Sequence, residues 1–150
     1  MAESIDIQVK RISAKLRKLG ESIPREVQTE LYVGGLQIEE TAKRSIQSGD
    51  KSGRIYQKYN PRRTHKASAA GQAPASDTGA LVNSIRTERV DKGADVKAGG
   101  GATDYAVHLE FGTSTILPRP YMQPALEQNR KEIFKNVERE LNKVINRDVK

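Results

Sequence analysis

The sequence predicts an α+β fold: two N-terminal amphipathic helices, a small, mostly antiparallel β-sheet with a long central loop, and a long C-terminal helix packed on the sheet. Three observations carry it. Apolar residues recur every three or four positions near both ends, residues 85–90 alternate with a period of two, and residues 48–77 show no periodicity. A chain of 150 residues is the size of one domain, here helical over 1–47, an extended basic loop over 48–77, sheet over 78–119 and helical over 120–150.

In the first helix Ile5, Val9, Ile12, Leu16, Leu19 and Ile23 form one stripe, while Lys10, Arg11, Lys15 and Lys18 face water. Gly20 is its expected stop, and Ser22 and Pro24 mark the cap and first turn of the second. That helix places Val27, Leu31, Ile38, Ala42 and Ile46 on one stripe, with Gly34 and Gly35 in the same seam. Two glycines inside a helix cost on the order of 1 kcal/mol each, so they are expected to admit a close neighbour.

Residues 48–77 turn to Gly, Ser, Ala, Pro and basic side chains. Such a length suits a functional loop, a long exposed hairpin or a segment ordered on assembly, with a short strand over 54–59. Asp77, Thr78 and Gly79 read as a cap before a helical turn through Leu81 and Val82. The alternation at 85–90 reads as a half-exposed strand, 91–94 as a turn, 95–98 as its partner, and Gly99 to Gly101 as a break. Residues 105–111 are expected to be a third strand or extended segment. Pro118 and Pro120 bar a helix between 113 and 121, and Pro124 suits the first turn of a helix carrying Leu126, Ile133, Val137, Leu141 and Val144.

Hydrophobic residues make up 35% and aromatic residues 5% of the chain, without Trp, so the core is aliphatic and thin, and neighbouring subunits are expected to add stability. The absence of Cys excludes disulfides, thiolate nucleophiles and the common zinc clusters. No apolar run approaches the roughly 18 residues of a membrane span, and residues 1–10 lack the apolar core of a signal peptide, so a soluble, non-exported chain is expected.

The net charge is +7, and residues 48–77, with six Lys and Arg against two Asp, hold +4 of it. Arg54, Lys58, Arg62, Arg63 and Lys66, with Tyr56 and Tyr59 among them, form the one basic cluster, a candidate contact for a partner or for nucleic acid. A solvated loop is its plainer reading. His108 and Glu110, two residues apart on one face of the expected strand, are a weak hydrolase constellation lacking further partners. Gly99 to Gly101 match neither the Walker nor the dinucleotide pattern. No catalytic residue, metal ligand or cofactor is nominated, and the chain is read as a non-enzyme.

The run Tyr105-Ala-Val-His-Leu-Glu-Phe-Gly-Thr113, followed by Pro118-Arg-Pro-Tyr-Met-Gln-Pro-Ala-Leu-Glu127, resembles the tail components of lambda-like siphophages, the gene-product-ten-like neck and head-tail joining (tail completion) proteins. Asp77-Thr-Gly-Ala-Leu-Val-Asn-Ser-Ile85 is similar to a second family segment, and Ser52 to Tyr56 and His65 to Pro74 resemble a subgroup with an extended central loop. The likeness covers about the C-terminal two-thirds of the chain. Tyr121 departs from the commoner Phe, and so basic a loop is unusual for a surface along which DNA must slide.

The resemblance implies a structural virion protein of a tailed phage or prophage that forms a homo-oligomeric ring at the head-tail junction during assembly. Its partners would be copies of itself and other neck, connector and tail proteins, with DNA contact in the conduit a further expectation. Its place would be the virion, and the host cytoplasm before that. Candidate interface residues are Tyr105, Glu110, Phe111, Gly112, Thr113, Arg119, Pro120 and Tyr121, on an arm that packs either on its own core or on the next subunit. The alternative function is a basic nucleic-acid-binding module using the central loop.

Overall fold

A computed structural model of the chain describes residues 23–48 and 50–148. The predicted first helix, with Gly20 and Ser22, lies outside the described residues. Helix α1 (Arg25–Gln47) follows Pro24, whose carbonyl accepts from the Gln28 amide at 3.0 Å. It ends at Ser48, where amide and hydroxyl both donate to the Arg44 carbonyl. Val27, Ala42 and Ile46 of the expected stripe are buried, with Leu31 and Ile38 half-buried.

Helix α4 (Met122–Asp148) runs antiparallel to α1. Asn129 donates to Thr41 Oγ1 at 2.9 Å near one end, and Arg147 to Glu26 at 2.9 Å near the other. On another side of α1 lies the hairpin of β3 (Arg86–Val90) and β4 (Gly93–Lys97), paired from Arg86 with Lys97 to Val90 with Gly93. Helix α1, α4 and this hairpin together line an apolar groove through Leu31, Ile38, Val96, Ile133 and Phe134.

The glycine seam is a packing device. A Cβ on Gly34 would come within 2.9 Å of Ile133 Cγ2, and one on Gly35 within 2.7 Å of Thr87 Cγ2. Thr87 cannot step aside, because it is short, β-branched and donates to Glu39 at 2.7 Å. We expect Gly35→Val to destabilise the fold by about 2 kcal/mol through overpacking, although a helix interior disfavours Gly. Urea denaturation monitored by circular dichroism would show it as a lower midpoint at unchanged slope.

The core sits where the C-terminal half of α1 meets α2 (Ala80–Ser84), α3 (Ala106–Phe111) and the start of α4. Ala42, Ile46, Leu81, Val82, Ile85, Ala106, Tyr121 and Ala125 fill it, an aliphatic set with a single aromatic ring. The strands form two separate two-stranded antiparallel sheets: β3–β4, and β1 (Ile55–Tyr59) with β2 (Arg62–Lys66).

Three local expectations are corrected. Residues 106–111 are helical: Tyr105, Val107, Leu109 and Phe111 mimic a two-residue period, but Ala106 and Leu109, at helical spacing, are the pair turned to the core. The second hairpin's turn is only Asp91 and Lys92, so β4 starts at Gly93, buried beneath Leu31, two residues earlier than the alternation suggested. Asp77 does not cap α2. Gly79, at φ 79°, holds that position, and Asp77 is engaged elsewhere.

Candidate functional site

Glu110 ends up as an internal brace. It projects from α3 with 9% of its surface exposed, and its carboxylate receives the first amides of the α4 region: Tyr121 N at 2.9 Å and Met122 N at 3.0 Å on Oε2, and Gln123 N at 2.9 Å on Oε1. The first turn of a helix has amides without intrahelical acceptors and a positive dipole end, so a carboxylate there is doubly suited. The hydrolase reading of His108 and Glu110 fails on the same geometry. Two residues apart on a helix they point to nearly opposite sides, His108 to solvent and Glu110 inward.

Between brace and helix the chain makes a tight excursion. Gly112 takes φ 75° and ψ −178° and donates to the His108 carbonyl at 2.9 Å, closing α3. Thr113 N donates to the Ile116 carbonyl at 2.8 Å, and Thr113 Oγ1 accepts from the amides of Thr115 and Ile116. Arg119 N returns to the Leu109 carbonyl at 2.7 Å, and the Pro118 carbonyl accepts from Gly71 N at 3.0 Å. The prolines deliver Tyr121, only 1% exposed, into this chain's own core. Burial, with the neighbouring Glu110 and Tyr105, pushes its phenol up to about 12.

The eight candidate interface residues therefore divide. Glu110 and Tyr121 are occupied inside the chain, Gly112, Arg119 and Pro120 are half-buried, and Tyr105, Phe111 and Thr113 reach the surface. The braced loop also presents side chains absent from the sequence-based set. Phe111, 74% exposed, is joined by Val107 one helical turn earlier and by Ile116 and Leu117, the latter 70% exposed. The four-residue interval between Val107 and Phe111 was the available signal for the helical part of this patch.

The central segment is a hairpin on a tied base. Lys51 Nζ donates to the carbonyls of Ser45 and Ala73, and Gln72 Oε1 accepts from the amides of Ser52 and Ala69. Burial draws the Lys51 ammonium below its ordinary range. The register pairs Tyr56 with His65 and Lys58 with Arg63 on one face, and Ile55 with Lys66, Gln57 with Thr64 and Tyr59 with Arg62 on the other. Asp77 sits against the first face. It accepts from Lys58 and, at 2.5 Å, from Arg63, with His65 Nδ1 3.9 Å away. The Lys58 hydrogen bond, aided by the Arg63 charge, holds the Asp77 carboxyl below the usual range. Arg54, Arg62 and Lys66 make no ion pair among the described residues.

These features define a small α+β chain with two outward surfaces, a braced apolar patch and a basic hairpin. Comparison with protein-family models, curated proteins and solved structures finds no match. Among the described residues no helix is long and apolar enough to cross a membrane.

Proposed function

We propose that this chain is a non-enzymatic assembly subunit whose α3 patch docks on further copies of itself, as a ring-forming neck or tail-completion protein of a tailed phage or prophage would. The patch carries the reading: Val107, Phe111, Ile116 and Leu117 stand in solvent although a braced carboxylate and a hydrogen-bonded loop hold their backbone in place. Large apolar side chains on a prepared surface mark contact sites, and aromatic anchors dominate their energetics. The local resemblance of residues 105–127 and 77–85 to neck and tail components supplies the biological setting.

Light scattering and electron microscopy of the purified chain test it. Self-association is expected, with Phe111→Asp plus Leu117→Asp weakening it by at least about thirtyfold, the scale of one anchoring residue, while the thermal melt stays near that of the parent. A chain that is monomeric at every concentration, alone and with phage neck proteins, overturns the reading.

A further inference from the structure

The basic hairpin is two surfaces with different electrostatics. On the inner face Asp77 accepts from Lys58 and Arg63 and stands near His65, so half of the cationic charge there is balanced internally. Among the described residues the outer face has no such counter-ion: Arg62 and Lys66 alternate with Gln57, Thr64 and a Tyr59 ring that is 79% exposed. Tyr59 and Arg62 are direct cross-strand partners, so both side chains leave the ribbon on this face at its turn end.

We propose that this outer face binds a nucleic-acid strand, with phosphates on Arg62 and Lys66 and a base stacked on Tyr59. Aromatic rings accept any base by its π-face, and flanking cations track the backbone, the combination used on single-stranded nucleic acid. An acidic protein partner fits less well. Interface cores are depleted of charge and rich in apolar anchors, whereas this face alternates charged and polar residues around Ile55 and Tyr59 alone. The inference is independent of self-association through α3, which uses other residues.

The division of faces leaves Asp77, with Lys58 and Arg63, outside the binding surface. Two phosphate contacts to a single strand imply that the logarithm of affinity falls with the logarithm of salt at a slope of about −1.4. Asp77→Asn frees Lys58 and Arg63 only on the opposite face, so the slope should stay at about −1.4. Asp77→Glu, which keeps the charge, should match the parent.

Fluorescence anisotropy of the full chain with labelled dT20, a 20-base-pair duplex and poly-glutamate reads these quantities. Expected are salt-sensitive binding of dT20, loss of most of the slope in Arg62→Gln plus Lys66→Gln, an unchanged slope in Asp77→Asn, and at least fivefold weaker dT20 binding by Tyr59→Ala with an unchanged melt. No binding of dT20 at 20 mM salt overturns the proposal. So does binding of poly-glutamate as tight as dT20, which would assign the face to an acidic protein, or duplex binding as tight as dT20 and indifferent to Tyr59→Ala.

Discussion

Replacing Glu110 with Ala should lower the free energy of unfolding by about 3 kcal/mol, a large share of the roughly 5–15 kcal/mol that keeps a domain folded. One carboxylate accepts from the amides of Tyr121, Met122 and Gln123, and among the described residues no other acceptor is paired with them. Each buried donor left without a partner costs about 1–3 kcal/mol, and a charged acceptor at a helix N-terminus adds the favourable dipole interaction. Glu110→Gln keeps the shape and one carbonyl acceptor but turns an amino group towards an amide, so roughly half the loss is expected. Chemical denaturation gives the magnitude, and hydrogen exchange gives the place: protection should fall first at residues 121–123. A Glu110→Ala variant within about 0.5 kcal/mol of the parent would mean those amides find other partners.

What the sequence revealed in advance was what local spacing encodes. The stripes of α1 and α4, the seam at Gly34 and Gly35, the strand near residues 55–59 and the break at Gly99 are all patterns within one turn or one strand. What stayed hidden depends on distant partners. Asp77 precedes a helical turn and looks like its cap, yet Lys58 and Arg63 lie 19 and 14 residues away and outcompete the local role. Glu110 meets amides 11 to 13 residues on, a pairing that no window of one element displays. Helix α3 was hidden differently. Its six residues are too few for periodicity to separate a helix from a strand, and burial of Ala106 in the core shared with Ile46 and Val82 decided it.

Gly112→Ala should be at least as damaging, and for a reason that lies in the backbone. A φ of 75° with ψ of −178° is a region that almost only glycine enters, at about 1–3 kcal/mol for another residue. The added methyl would also meet the Ile116 carbonyl oxygen at 2.7 Å and the Pro118 ring at 3.0 Å, and neither backbone nor ring can rotate away. The combined cost is expected to be about 3 kcal/mol or more. Gly71→Ala is the comparison that separates the two causes: its φ is 78°, but nothing lies within 4 Å of the new Cβ, so only the conformational penalty of about 1–2 kcal/mol remains. If the two variants were equally stable, the packing of the loop against Gly112 would carry no energy. The loop also carries Ile116 and Leu117, so displacing it should weaken self-association more than the loss of stability alone explains. Comparing Gly112→Ala with Gly35→Val, which also destabilises the fold but through its contact with Thr87, would isolate that part: only the former should shift the light-scattering mass towards the monomer in conditions where both remain folded.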